Sequence, residues 1–374
     1  MKSVKIAFAL LLFSGSLVAQ DINVTGTISR TIKIPLLREA GQRNTRLAMP
    51  APTKEIKLLK INLSDRAKIS ISNKAKRALT HRNTFLTSNP STAVKHPEQV
   101  QLGMNGVPVF DQGNHGTCTT FAVTAAIDAV LNKGDYISQL CQLQIGNYIQ
   151  TNGYTPSGWN GSWGRLELSK MDVTGIISKE QQKSQGCGGL LEYPLTSENP
   201  ESSMSFEEYH PMSEPMNVGW WTLLDVFNAV NDRLDPNITL DQVKDSLIDG
   251  DRVAFGILLF DFDQGMMGAI GKKGATYDSW ILSPEMLRDL WLRPLFGGHA
   301  MVITGYDDNA IATDDKGREY KGLLTLRNSW GDQVGDHGNF YMSYDYFKVL
   351  VMEAQRINKE NTPPDTDDDH SITA

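Results

Sequence analysis

The spacing of apolar positions along the chain changes character several times. A continuous apolar run covers residues 6–18, with Lys2 and Lys5 ahead of it. Residues 28–34 and 57–63 then alternate between apolar and polar side chains, as half-buried strands do, and residues 68–79 read as a short basic helix. From Cys118 the apolar positions Phe121, Val123, Ala125, Ala126, Ile127, Ala129, Val130 and Leu131 crowd together before Asn132-Lys133-Gly134. That pattern predicts a helix buried nearly all round and ended by glycine. Further helices are expected over 138–148 and 166–173. The Gly/Trp/Ser-rich stretch 150–165 should be a loop, and 196–217, rich in Glu, Ser, Pro and Met, an exposed insertion.

The second half reads differently. Thr239-Leu-Asp-Gln242 has the form of a capping box opening a helix to Ile248, which Asp249-Gly250 ends. Residues 253–260 form a buried strand, 261–295 are loop-like with some helix, and 300–306, 323–326 and 339–342 are further strands. A helix-rich first half and a strand-rich second half predict an α+β fold without internal repeats. The polar stretch 361–369 is expected to be disordered.

A chain of 374 residues can hold one large domain or two ordinary ones. The positive start, short apolar run and small residue at Ala19 resemble a secretory signal peptide, too short to span a bilayer. Export is therefore expected, secreted or periplasmic, with the extracellular space favoured and no membrane span. The expected division is a signal peptide over 1–19, a basic region over 20–95, a main domain over 96–355 and an acidic tail over 356–374.

Charge sharpens that division. Residues 21–100 hold 15 Lys/Arg against 5 Asp/Glu, a net of about +10, whereas residues 101–374 hold 19 against 38, a net of about −19. A basic segment can dock on an acidic body or bind nucleic acid. Few aromatics and no nucleic-acid-binding motif favour docking, so no nucleic acid is expected as a partner. Three cysteines are an odd number for an exported chain: if Cys141 and Cys187 pair, Cys118 is left over. The cysteines and histidines lack metal-ligand spacing, and neither metal nor cofactor is expected.

The leftover thiol sits where a helix begins, in DQGNHGTCTTFA (residues 111–122). A helix N-terminus lowers a thiol's pKa from about 8.5 and so favours the nucleophilic thiolate. Such a nucleophile needs a histidine as acid and base, and fixed donors for the oxyanion. Gln112 is placed to supply an amide donor. His299 opens an apolar strand after two glycines, and Asn328 is a candidate to orient its ring, with Trp330 shielding that bond.

These residues lie in three blocks, DQGNHGTCTTFA, GGHAMVITGYDD (297–308) and LRNSWGDQVGDHGNFYMSYDYF (326–347). In that order they resemble the papain-like cysteine peptidases, cathepsins and bacterial relatives, over roughly residues 105–350. Weaker support comes from residues 137–139, 175–180 and Tyr193-Pro194. The resemblance implies a two-lobed fold, one lobe helical and one β-barrel-like, with the site between them. It also implies Cys118 as nucleophile, His299 as base and acid, Asn328 as orienter and Gln112 as oxyanion donor. Trp330 would cover the His–Asn pair. Trp159, Gly161 and Trp163, in SGWNGSWG (157–164), would lie with Trp330 near the bound peptide. The implied activity is hydrolysis of peptide or protein substrates through an acyl-enzyme, from a proenzyme inhibited by its own basic pro-region.

Some positions depart from the family. His115 stands where a cysteine is usual, Thr119 where an aromatic is usual, and 181 residues separate Cys118 from His299 instead of about 130–150. The same Cys-His-Asn chemistry also serves thiol acyl-transferases and amidases, and an inactive papain-like binding protein is a third reading.

Overall fold

The computed structural model describes residues 21–34, 52–82, 96–231, 234–259, 278–289, 296–314 and 316–359. In chain order the elements are β1 (Ile22–Lys33), β2 (Thr53–Leu63), α1 (Asp65–Arg82), β3 (Gln99–Gln101), α2 (Cys118–Leu131), α3 (Gln139–Thr151), α4 (Gly164–Thr174), α5 (Lys179–Gln185) and α6 (Phe206–Tyr209). There follow β4 (Gly219–Leu224), a 3-10 turn at Asn228–Val230, α7 (Pro236–Ile248), β5 (Arg252–Leu259), β6 (Ser279–Trp280), α8 (Pro284–Asp289), β7 (Phe296–Thr313), β8 (Glu319–Arg327), β9 (Asn339–Ser343), α9 (Tyr344–Leu350) and β10 (Val351–Asn358). The expected α+β class holds, with helices gathered over 118–185 and strands dominating after 219.

The strands form one sheet whose main path runs β4-β10-β5-β7-β8-β9-β6, antiparallel except for the β6–β9 pair. β7 is its axis. One edge pairs with β5 from Gly297 to Ile303. The other edge pairs with β2 at Phe296, Gly297 and Gly298, and then with β8 from Val302 onward. Residues 299–301 thus lie in a gap between two strands that share one edge. Helix α2 is buried nearly all round, as its apolar crowding requires, and packs on β7 and β5 with α3 and α4 beside it. The Cys141–Cys187 disulfide is formed, with Cα atoms 5.1 Å apart, and ties α3 to the loop after α5.

The basic region is built into this sheet. β1 and β2 form an antiparallel hairpin, and β2 adds it to β7. Ile56, Leu58, Leu59 and Ile61 are buried in the main core, and α1 packs on α9. Lys54 pairs with Asp111 of the acidic body. Charge opposition is therefore accompanied by backbone pairing and apolar burial.

Several sequence expectations need correction. The stretch 196–217 is exposed over most of its length, as expected, but it is anchored: Met204, Tyr209, Met212 and Met216 are buried. The main domain does not end at 355, because β10 continues to Asn358, with Arg356 and Ile357 paired to both β4 and β5. Helix α7 starts a turn before the expected capping box; Asp235 caps it by accepting from Asn237 N–H, and Pro236 takes the first helical position. β4 and α9 were not anticipated. The expected signal peptide at 1–19, the tail at 361–369 and most of the loop-like stretch 261–295 lie outside the described residues. Among the described residues no helix is long and apolar enough to cross a membrane.

Candidate active site

Two loops bring the site together. An antiparallel bridge joins Asp111 to Trp330, Gln112 N–H donates to Ser329 O at 2.9 Å, and Gly331 N–H donates to Phe110 O at 2.9 Å. The loop ahead of α2 is thereby fixed to the loop after β8. Gln112 Oε1 accepts from Ser329 Oγ at 2.8 Å, and its amide nitrogen donates to His115 O at 2.8 Å. The same nitrogen lies 3.3 Å from the carbonyl of Lys57 in β2. The amide group is buried and aimed across the head of α2.

Cys118 is the first residue of α2 and is free and fully buried. It faces the gap on β7, where its sulfur interacts with the backbone of Ala300 and with Thr119. Burial pushes the thiol up to about 11, against the opposing hydrogen bonds from Ala300 and Thr119.

His299 lies one residue before Ala300. Its Nε2 is 2.7 Å from Asn328 Oδ1, an oxygen that also accepts from Ser329 N–H at 2.7 Å. With the oxygen committed as acceptor, Nε2 donates. Nδ1 is buried with no hydrogen-bond partner. Trp330 stacks on the ring at 4.4 Å between centroids and 25° between planes. Trp330 is itself packed edge-on against Trp280 and Phe340. Burial holds His299 down to about 4, opposed by the bond to Asn328. Thiol and imidazole are thus both neutral under this cover, and no hydrogen bond joins them.

The hairpin supplies the cover. A Cβ built on Gly298 would come within 2.8 Å of Ile61 Cγ1, and one on Gly297 within 2.8 Å of Leu58 Cδ1. The two glycines before His299 therefore let β2 approach β7 closely. Across the cleft, Gly161 faces Leu59 Cδ2 and Val24 Cγ1, which a Cβ there would meet at 2.7 and 3.1 Å.

The four residues expected to act together, Gln112, Cys118, His299 and Asn328, converge on this gap. The four residues expected near the peptide divide. Gly161 lies against the hairpin, and Trp330 stacks on His299. Trp159 is buried, stacked on Tyr193 at 5.7 Å and edge-on to His115 at 5.0 Å. Trp163 precedes α4 and packs on the main core. His115 is also buried, bonded through Nδ1 to Asn199 Oδ1 at 2.5 Å and through Nε2 to Pro194 O. It ties the loop ahead of α2 to the 194–199 segment, at the position where the papain-like family usually has a cysteine. Two further residues were missed: Ser329, which holds Gln112, and Tyr193, whose hydroxyl donates to Gln112 O at 2.9 Å and meets Thr117 Oγ1 at 2.9 Å. Ser329 was legible as the neighbour of Asn328; Tyr193 had no local signal. Among the described residues no group of three His, Cys, Asp or Glu side chains could hold a metal.

Comparison with known proteins adds the following. Residues 295–370 match the Peptidase C1-like family. Aminopeptidase C of Lactobacillus delbrueckii subsp. lactis is 42% identical over 67 residues, which is 18% of this chain and 13% of that protein. The chain thus matches only about an eighth of the length of that curated relative. Among solved structures, xylellain, a cysteine protease from Xylella fastidiosa, aligns with a TM-score of 0.44 and 20% identity, covering 73% of this chain and 91% of that one. Digestive procathepsin L 3 from the larval midgut of Tenebrio molitor aligns with a TM-score of 0.44 and 15% identity, covering 78% and 91%. The family match spans both the histidine and the asparagine blocks, and the likeness of this chain to the papain-like cysteine peptidases is borne out.

Proposed function

We propose that the chain is a cysteine-type peptidase held as a proenzyme by its own β1–β2 hairpin. The observation that carries this reading is the gap on β7: a thiol on the first residue of α2 faces it, a histidine oriented by an asparagine borders it, and a strand of the basic region closes it. With the hairpin gone, water and substrate reach Cys118 and His299, and the burial that keeps both neutral is relieved. Proton transfer from Cys118 to His299 Nδ1 then gives a thiolate–imidazolium pair, favoured by the N-terminus of α2.

The thiolate attacks the peptide carbonyl. The oxyanion accepts from the Gln112 amide and the Cys118 N–H, in a site already shaped for such an acceptor. His299 passes its proton to the leaving amine, the acyl-enzyme forms, and water activated by His299 releases the acid. Asn328 keeps Nε2 protonated, so that Nδ1 is the nitrogen that exchanges the proton. We also read residues 1–19 as an export signal.

The test uses the full-length chain and its Cys118→Ala variant, before and after proteolytic removal of the region ahead of residue 96. An epoxide thiol trap should add once to the cleaved wild-type chain and scarcely to the uncut one, and peptide hydrolysis should appear with the adduct. A cleaved, folded chain that takes no adduct and hydrolyses no peptide refutes the reading.

A further inference from the structure

Lys54 reaches out of β2 to two acceptors that belong to the body of the molecule. Its Nζ is 2.5 Å from Asp111 Oδ2 and 2.8 Å from the carbonyl oxygen of Trp330. Those acceptors adjoin the site on both sides: Asp111 precedes Gln112, and Trp330 stacks on His299. Neither depends on the hairpin for its position. The Asp111–Trp330 bridge and the Gly331 N–H to Phe110 O bond set them side by side, and Asp111 Oδ1 accepts from Gly113 N–H at 2.9 Å, which leaves Oδ2 to face the ammonium. The space is kept by Gly331. Its φ is +83°, and a Cβ there would crowd Asp111 Oδ2 at 3.3 Å and Lys54 Nζ at 3.4 Å. Asp111 and Lys54 retain 37% and 24% of their side-chain exposure, so the pair sits at the rim of the cleft, where a substrate can reach.

We propose that the Asp111 carboxylate and the Trp330 carbonyl form a subsite for a basic side chain of the substrate, filled by Lys54 in the proenzyme. This rests on the reading of the chain as a peptidase and adds a substrate class to it: peptides carrying lysine or arginine close to the cleaved bond. A carboxylate and a carbonyl satisfy two N–H donors of an ammonium or guanidinium group, and charge-assisted bonds of this kind are the stronger sort. When the hairpin leaves, Asp111 Oδ2 and the Trp330 carbonyl lose that partner together. Position follows from β2 itself. The Lys57 carbonyl lies 3.3 Å from the Gln112 amide, and Lys54 is three residues away. The basic residue therefore belongs about three residues from the substrate residue whose carbonyl meets Gln112.

Two measurements test this. For the first, enzyme is prepared by cutting the pro-region from the full-length chain and is given neutral peptides in which one lysine is moved along both sides of the cleaved bond. One position should raise kcat/KM about tenfold, chiefly through KM, as expected for about one charge-assisted contact at a rim. Asp111→Asn, which keeps Oδ1 for Gly113, should reduce that ratio to about twofold or less. The second needs no catalysis. A synthetic peptide of residues 53–63 should bind the cut Cys118→Ala chain about tenfold more tightly than its Lys54→Met copy, and Asp111→Asn should remove the difference. No preferred position, a preference that survives Asp111→Asn, or equal affinity of the two peptides overturns the subsite. A chain that binds the peptides unequally yet hydrolyses nothing keeps the subsite and loses the peptidase reading.

Discussion

β2 and β8 occupy the same edge of β7 but hold it very differently. β8 pairs with β7 from Val302 to Thr313 and is itself backed by β9. β2 pairs only at Phe296, Gly297 and Gly298 and is backed by β1 alone. Both use antiparallel backbone hydrogen bonds, so the chemistry of attachment is the same. Extent and backing make one strand part of the framework and the other a cover. The residues between them, His299 to Met301, are where Cys118 meets β7. The candidate site arises here from a sheet edge that is filled twice and incompletely.

The largest effect expected is on the gap itself. Cys118→Ala should lower peptide hydrolysis by the activated chain about 10⁴-fold or more while leaving both strand pairings in place, as steady-state rates and near-UV circular dichroism would show. Asn328→Ala comes next. It frees the His299 ring to rotate and leaves Ser329 N–H without its acceptor. A loss of about 10²-fold in kcat is expected, with about 1–3 kcal/mol of stability, measured by kinetics and urea unfolding.

The two strands can then be set against each other. Ile61→Ala removes a fully buried side chain from β2 and should weaken hairpin docking by about 2–3 kcal/mol. In the uncut chain the trapping rate of Cys118 should rise about 30- to 100-fold. Leu326→Ala removes an equally buried side chain from β8 and should lower global stability by a similar amount without a matching rise in trapping. Equal trapping in the two variants would end the distinction between framework and cover.

Acid provides the mildest probe. Burial holds His299 at about 4, below its ordinary 6.5, so the unfolded chain binds more protons than the folded one between those values. The buried ring therefore costs the fold nothing above about 6.5 and weakens it as pH falls towards 4. Cys118, raised from 9.0 to about 11, acts at the other end: the fold weakens as pH rises through that window. The loss of unfolding free energy between pH 6.5 and 4.5, read from urea titrations, should be smaller in His299→Gln than in the wild-type chain.

The candidate quartet, Gln112, Cys118, His299 and Asn328, was legible because the chemistry proposed for it requires particular residue types in particular settings. A cysteine at a helix start, a histidine after two glycines in an apolar strand and an asparagine two residues before a tryptophan each carry a local signal. α2 was legible for another reason: a helix buried all round writes its apolar content densely. The stretch 196–217 was legible as surface but not as anchored, because its four buried Met and Tyr side chains stand among exposed polar neighbours and are fixed by tertiary contacts. The domain runs past its expected boundary at 355 because Arg356 is polar in sequence yet paired to Asp251 and Asp249 in space. Trp159 and Trp163 follow the same lesson, since a Gly-rich loop shows which aromatics it carries and not which way they turn. The pairing of β2 with Gly297 and Gly298 joins segments more than 230 residues apart, and no window of sequence contains it.

The hairpin's attachment has a further consequence. While β1 and β2 belong to the same chain as β7, their docking is intramolecular, and diluting the protein changes nothing. Cutting the chain between α1 and β3 turns the hairpin into a separate ligand, and the local concentration set by the tether is lost. Occupancy of the cleft then depends on how much free hairpin remains nearby. One backbone cut therefore makes concentration a control variable: a crowded compartment keeps the cleft filled, and dispersal into a large volume empties it.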